Sequence, residues 1–204
     1  MKPNMTLVSV EEYLHGEANA HFKSEYMAGE TTPLHRQTDT LGKVTNMAGA
    51  QPPHNRLVSR LLALLEFCLE DTGCLVFASD QLVHIPACEK FTYPDITVVC
   101  NEPEYTTSPG GLQALRNPAI IIEVLSKSTE DYDRGEKFEC YQTLRNLQQY
   151  VLVSSFSKPK METYTRKTAK DWDYHIETET EKSIAIGGCE FLLGSVYKKV
   201  ALEK

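Results

Sequence analysis

The stretch AIIIEVLSKSTEDYDRGEKFECYQTLRNLQQYVLV, residues 119–153, decides the fold of this chain. Its opening run is apolar except for Glu123, and hydrophobicity that is continuous rather than alternating predicts a strand covered on both faces. Ser128 offers an N-cap for a helix that carries one apolar stripe and runs to about Leu144. Residues 150–153 predict a second buried strand. A strand, a helix and a strand in this order predict a βαβ crossover between parallel strands.

Further elements are predicted on both sides of this unit. Residues 54–71 carry apolar side chains at intervals of three and four, which is typical of an amphipathic helix. Residues 31–46 are rich in Thr and Gly without periodicity, so we predict a loop or flap there. The other predictions are a capped helix at 10–14, strands at 75–77, 81–85 and 95–99, a polar connection at 101–117, a hairpin of 160–166 with 172–177, and a closing strand and helix at 191–200.

Length and composition predict a single domain, residues 1–204. The chain has 204 residues and 41% apolar content, which suffices for one full core. No apolar run approaches the roughly 18 residues that a membrane span needs, and the first residues lack the apolar core of a signal peptide. We therefore expect a cytoplasmic protein without a membrane partner.

The six cysteines are scattered along the sequence. No two of them form a Cys-x-x-Cys pair, and several lie in apolar segments. We therefore predict buried free thiols in preference to disulfides or a zinc site.

The formal net charge of the chain is −7. This acidity argues against strong non-specific binding to nucleic acid, because such binding rests on neutralising phosphates. A nuclease is still compatible with it, since a local basic patch or a bound cation can offset local acidity.

Three charged residues lie in contexts that are unusual for a soluble protein. Glu123 interrupts one apolar strand, Asp95 enters another, and Lys137 follows on the predicted helix. A buried charge must be paired or must hold a metal. Taken alone, Asp95 is better explained as a strand-entry acid and Lys137 as a solvated partner of Asp133. Glu123 alone already favours a functional role.

Together, these residues predict metal-dependent cleavage of a phosphodiester. A divalent cation polarises the phosphate, lowers the pKa of bound water and stabilises the leaving oxygen. The carboxylates of Asp95 and Glu123, with the backbone carbonyl of Val124, suit magnesium or manganese as metal ligands. Lys137 would orient the attacking water or stabilise developing charge.

A family resemblance rests mainly on three motifs: YPDITVVC at 93–100, IEVLSKST at 122–129 and DRGEKF at 133–138. They are similar to motifs of the Uma family of putative restriction endonucleases, which is placed in the PD-(D/E)XK nuclease superfamily. Further similarity extends the resemblance over nearly the whole chain, at 24–30, at 47–50 with His54 and Asn55, and at 147–153.

The resemblance implies an α/β (α+β) fold with a restriction-endonuclease-like core. In that core a central mixed β-sheet is flanked by helices, with additional antiparallel strands, and Asp95 and Glu123 meet at one metal site. The superfamily's usual lysine stands two residues after the glutamate, where this chain has Leu125. The role would therefore fall to Lys137, which matches the family's own motif lysine.

Two other residues gain a possible role from the same resemblance. Glu25 matches an N-terminal family glutamate and would contact the metal or one of its ligands. Its placement depends on residues 31–46, which resemble an insertion relative to the family. His54 begins the helix predicted at 54–71 and would either cap that helix or contact the backbone or phosphate.

The sequence supports one leading function and two alternatives. The leading function is a magnesium-dependent DNA endonuclease with Asp95, Glu123, Lys137 and Glu25 as catalytic residues. We expect a homodimer, because cutting both DNA strands needs two sites. The first alternative is a catalytically inactive DNA-binding or assembly protein on the nuclease scaffold, which the acidic net charge and Leu125 keep open. The second is an enzyme that acts on sugars with a carboxylate pair and needs no lysine.

Overall fold

The structure, a computed structural model, describes residues 7–21, 23–28, 42–46, 50–107 and 110–202. Its helices are α1 (Val10–Glu17), α2 (Pro52–Leu69), α3 (Glu130–Arg134), α4 (Glu136–Tyr141) and α5 (Leu193–Val196), with a 3-10 turn at Pro86–Cys88. Its strands are β1 (Leu7–Val8), β2 (Ser24–Ala28), β3 (Gly42–Asn46), β4 (Leu75–Ala78), β5 (Val83–Ile85), β6 (Lys90–Thr92), β7 (Ile96–Val99), β8 (Tyr105–Thr107), β9 (Gln113–Leu115), β10 (Ile120–Leu125), β11 (Gln149–Ser154), β12 (Met161–Arg166), β13 (Trp172–Glu177), β14 (Ser183–Ile186) and β15 (Cys189–Leu192). Among the described helices, none is long and apolar enough to cross a membrane.

The strands form two mixed sheets and a separate hairpin. The six-stranded sheet has the order β13-β12-β11-β10-β7-β4, the seven-stranded sheet has the order β1-β3-β2-β6-β5-β9-β8, and β14 pairs with β15. Strands β10 and β11 run parallel and are joined through α3 and α4, which confirms the predicted βαβ crossover. The mixed α/β class is likewise confirmed.

The six-stranded sheet has an apolar core on each face. On one face, α2 contributes buried leucines at four-residue spacing, namely Leu57, Leu61, Leu65 and Leu69. On the other face, Phe138 and Tyr141 of α4 pack with residues of the seven-stranded sheet. Every residue of β10 is buried. This double covering explains why that strand reads as a continuous apolar run.

The helix predicted from Ser128 to Leu144 is in fact two short helices. Thr129, not Ser128, is the N-cap of α3, and α4 ends at Tyr141. The break falls at Gly135, whose φ and ψ are both −103°, outside the helical region. A Cβ there would lie 3.1 Å from the carbonyl oxygen of Asp131, so the close backbone approach favours glycine.

Two segments predicted to be irregular contain strands. In the predicted loop 31–46, residues 42–46 form β3, which pairs with β1 and β2, while residues 31–41 lie outside the described residues. The predicted connection 101–117 contains β8 and β9, at one edge of the seven-stranded sheet. Strands this short show no clear alternation of apolar and polar residues, so their pairing depends on neighbouring strands rather than on their own pattern.

The prediction of free thiols is wrong. All six cysteines form disulfides, namely Cys68–Cys189, Cys74–Cys100 and Cys88–Cys140. The bonded pairs lie 121, 26 and 52 residues apart in sequence. Only strand pairing and helix packing bring them together. The second pair, for example, directly follows the β4–β7 register, which ends at Leu75 and Val99.

Candidate active site

Asp95 and Glu123 lie side by side where β7 pairs with β10. The antiparallel register pairs Ile96 with Ile122. The next pair in that register is Asp95, immediately before β7, with Glu123. Directly opposed residues of antiparallel strands project to the same face, with Cβ atoms about 4.5–5.5 Å apart. The strand pairing therefore brings together the two acids predicted as metal ligands.

Glu123 is buried, and its nearest cation is Lys137. Both residues are 4% exposed. The Lys137 Nζ lies 2.9 Å from Glu123 Oε1, and the Tyr141 hydroxyl donates a 3.0 Å hydrogen bond to the same oxygen. Lys137 and Tyr141 are one turn apart on α4, so both side chains reach the strand that carries Glu123. The Tyr141 hydroxyl also lies 2.9 Å from Thr92 Oγ1, which ties this contact to the other sheet.

Glu25 reaches the same lysine from β2, in the seven-stranded sheet. Its Oε1 lies 3.1 Å from Lys137 Nζ, an ion-pair distance that does not meet hydrogen-bond geometry. Its Oε2 accepts a 3.1 Å hydrogen bond from the Tyr132 hydroxyl. Glu25 therefore lies in the site as a partner of the lysine. This contact forms where β2 of the seven-stranded sheet meets α4.

Asp133 is a further carboxylate around Lys137. It is buried on α3, one turn before the lysine, with Oδ1 3.5 Å from Nζ. Burial raises the pKa of Glu123 and that of Asp133, and the neighbouring carboxylates add to both shifts. Burial alone would lower the pKa of Lys137, but the surrounding anions, with Glu123 first, raise it well above its usual range. The ammonium therefore stays charged among carboxylates that resist ionising together.

Asp95 is held by contacts of its own. Its Oδ2 accepts a 2.7 Å hydrogen bond from the backbone N–H of Val124 and lies 3.2 Å from Nε2 of His54. Burial would lower the pKa of His54, but the hydrogen bond and charge of Asp95 raise it above its usual value. Of the two roles left open for His54, helix capping is wrong, because Gln51 is the N-cap of α2.

Sequence reasoning missed several residues of this cluster. Lys90 on β6 is fully buried, lies 3.0 Å from Glu136 Oε1, and places its ammonium 4.5 Å from the centre of the Tyr132 ring. The sequence did not identify Lys90 as a buried residue, because it lies in a three-residue strand, which is too short to show a periodic pattern. Asp133 is the first residue of the DRGEKF motif, but the sequence suggested only that it pairs with Lys137 on the same helix.

The donor chemistry of the cluster fits a divalent cation. Four carboxylates, those of Glu25, Asp95, Glu123 and Asp133, face one lysine and one histidine. Magnesium and manganese prefer oxygen ligands, and such a cation would offset the excess of buried negative charge. Within the described residues, no three His, Cys, Asp or Glu side chains are arranged as a metal site. The predicted set of two carboxylates and one carbonyl needs no third such side chain.

Comparisons with known proteins agree with one another. The profile of the Uma2 family, described as putative restriction endonuclease, matches residues 24–184. Two uncharacterised proteins of Synechocystis sp. (strain ATCC 27184 / PCC 6803 / Kazusa) are similar: sll1609 is 34% identical over 166 residues, covering 81% of this chain and 85% of that protein, and slr1290 is 31% identical over 198 residues, covering 95% and 93%.

The fold also resembles a solved structure. It is similar to the crystal structure of a putative nuclease belonging to DUF820 from Anabaena variabilis ATCC 29413, with a TM-score of 0.68, 13% identity, and coverage of 95% of this chain and 99% of that one. At that identity the likeness concerns the fold alone. Because the family profile spans most of the chain and includes both sheets' contributions to the site, this protein belongs to the Uma2 family of putative restriction endonucleases.

Proposed function

We propose that the protein is a metal-dependent endonuclease that hydrolyses DNA phosphodiester bonds. One observation carries this proposal. Asp95, immediately before β7, continues the β7–β10 register opposite Glu123, and the Lys137 ammonium lies 2.9 Å from Glu123. Two neighbouring carboxylates can hold a divalent cation for attack on a phosphate, and the lysine beside Glu123 can stabilise the charge that develops. Membership of a nuclease family supports the same reaction class.

Each residue has a proposed role. Asp95, Glu123 and the carbonyl of Val124 would hold magnesium or manganese, which when bound polarises the phosphate and acidifies a water molecule. Lys137 would stabilise the developing negative charge, because its surroundings keep it protonated. Glu25 would form an ion pair with Lys137 and so fix the position of the ammonium group.

A second candidate is a catalytically inactive DNA-binding or assembly protein on the nuclease scaffold. One observation favours it: the Lys137 ammonium is buried and enclosed by Glu25, Glu123 and Asp133, so substrate would have to displace these contacts to reach it. In that case the cluster would stabilise the fold instead of acting on phosphate.

The test is cleavage of supercoiled plasmid DNA with magnesium or manganese. We expect the wild type to nick the plasmid, and Asp95→Asn, Glu123→Gln and Lys137→Met each to lose roughly 100-fold or more of the rate, as removal of key charge-stabilising groups does in other enzymes. Asp173→Asn is the matched control, because it removes an exposed acid of β13 that pairs with Lys167 in the turn after β12. Equal folded fractions are checked by circular dichroism. Metal binding without cleavage of DNA or RNA would favour the scaffold.

Assembly and location are part of the same proposal. A homodimer would supply the two sites that cutting both strands needs, and sedimentation of the protein with and without DNA measures this.

We also propose a cytoplasmic location, beside the DNA substrate. Disulfides are rare in reducing compartments, whereas the structure pairs all six cysteines in disulfides. The number of free thiols in protein isolated under alkylating conditions therefore tests the location: free thiols would support the cytoplasm, and intact disulfides would argue against it.

A further inference from the structure

His54 connects helix α2 to the site. It is the third residue of α2, after Pro52 and Pro53, and its side chain is 14% exposed. Its Nε2 lies 3.2 Å from Asp95 Oδ2. The imidazole therefore spans from the first turn of α2 to the residue that precedes β7.

The contacts of Asp95 are one-sided. In the described residues, the Val124 N–H and the His54 Nε2 both approach Oδ2, at 2.7 and 3.2 Å. Two donors on one carboxylate oxygen fix the plane of the group and leave Oδ1 for a ligand. Because the Val124 donor belongs to β10 and the His54 donor belongs to α2, the carboxylate is held from two elements.

The other ring nitrogen of His54 indicates which nitrogen carries the proton. His54 Nδ1 is buried and has no hydrogen-bond partner. A proton on Nδ1 alone would leave a buried donor unsatisfied and would set two lone pairs, on Nε2 and on Oδ2, against each other. With the proton on Nε2, the ring donates to Oδ2 and the two lone pairs no longer face each other, whereas Nδ1 has no partner in either neutral form. The geometry therefore favours Nε2–H as donor to Asp95.

We infer that His54 is a positioning residue that orients the Asp95 carboxylate for cation binding. The inference rests on the proposed function, since it assumes that Asp95 binds a divalent cation. His54 itself does not contact the metal or the phosphate in this proposal. Hydrogen-bonding partners of metal-binding side chains typically change metal affinity by roughly 10- to 100-fold when they are removed.

The experiment measures manganese affinity without DNA, by electron paramagnetic resonance of the free ion. We compare wild type, Asp95→Asn, His54→Leu and His54→Gln, since a glutamine amide can donate from near the Nε2 position. His175→Leu is the matched control, because His175 is exposed on β13. We expect His54→Leu to raise the manganese dissociation constant by roughly 10- to 100-fold. We expect His54→Gln to retain most of the affinity and the control to match wild type.

Two further readouts separate positioning from a general loss of structure. Saturating manganese should restore cleavage in His54→Leu, because the site is weakened and not removed. Nitrogen-15 NMR of the cation-free wild type should show His54 protonated on Nε2 when the ring is neutral. A neutral ring protonated on Nδ1 would overturn the inference.

The possible failures are distinguishable. If wild type binds manganese, Asp95→Asn does not, and both His54 variants bind like wild type, the positioning role is wrong while the proposed function stands. If His54→Leu keeps full affinity but loses cleavage at every manganese concentration, His54 acts on the substrate and the inference is again overturned. If wild type binds no manganese at all, the proposed function fails first and the inference fails with it.

Discussion

Replacing Lys137 with methionine should destabilise the fold strongly. The change removes an ammonium group that lies 3.1 Å from Glu25, 2.9 Å from Glu123 and 3.5 Å from Asp133, while a side chain of similar length fills the space. Removing one partner of a buried ion pair costs about 3–5 kcal/mol, because the remaining charge is left uncompensated. That is a large part of the 5–15 kcal/mol, roughly, by which a domain is stable.

The loss should depend on pH in a defined direction. Burial already raises the pKa of Glu123 and that of Asp133, and without the ammonium both pKa values rise further. A group whose pKa is raised by folding contributes stability below its unfolded pKa and loses it as the pH rises through the folded pKa. The variant should therefore be closer to wild type at about pH 5 than at about pH 8.

Urea unfolding of wild type and Lys137→Met at both pH values measures this. Lys182→Met is the control: Lys182 pairs with Glu179 on the exposed surface, so its removal should leave the free energy of unfolding nearly unchanged. The reasoning is refuted if Lys137→Met is as stable as wild type at the higher pH, or if its deficit shrinks as the pH rises. Adding Glu123→Gln to Lys137→Met should recover part of the loss, because one uncompensated charge is gone.

Two further predictions concern other parts of the fold. Burial would raise the pKa of Glu162, but hydrogen bonds from Arg134 and other donors lower it to about 2. The ionised carboxylate therefore contributes fully to the stability of the fold above its unfolded pKa, and this contribution disappears as the pH falls from about 4.5 toward 2. In the wild type, this loss should amount to at most about 3 kcal/mol, because solvent screening reduces it. Glu162→Gln should not show the loss when its free energy of unfolding in urea is measured at about pH 5 and below. If the variant loses as much stability in acid as the wild type does, the reasoning is contradicted. The disulfide Cys88–Cys140 closes a loop of 52 residues by sequence separation. Chain-entropy reasoning assigns about 4 kcal/mol to such a loop, so the double serine variant should unfold at clearly lower urea than wild type, and equal midpoints would mean that the bond adds no stability.

Local patterns determined much of the fold. The cap predicted for the helix at 10–14 is confirmed: Ser9 and Glu12 form a capping box, which depends only on residues three positions apart. Helix α2 follows from its leucine spacing, and the β10–β11 crossover follows from two apolar runs with a helix between them. Asp95 and Glu123 were recognisable because acids are rare in apolar strands. Each of these signals is contained within a few consecutive residues.

Contacts between distant segments were decided by the tertiary structure alone. The seven-stranded sheet and the pairing of cysteines could not be predicted from neighbouring residues. The same holds for Lys90 and for the contact of His54 with Asp95. Glu25 and Lys137 come from different elements and meet only because β2 and α4 belong to layers that pack together. A sequence pattern records which side of an element is buried, whereas sheet order and packing decide which buried side chains touch.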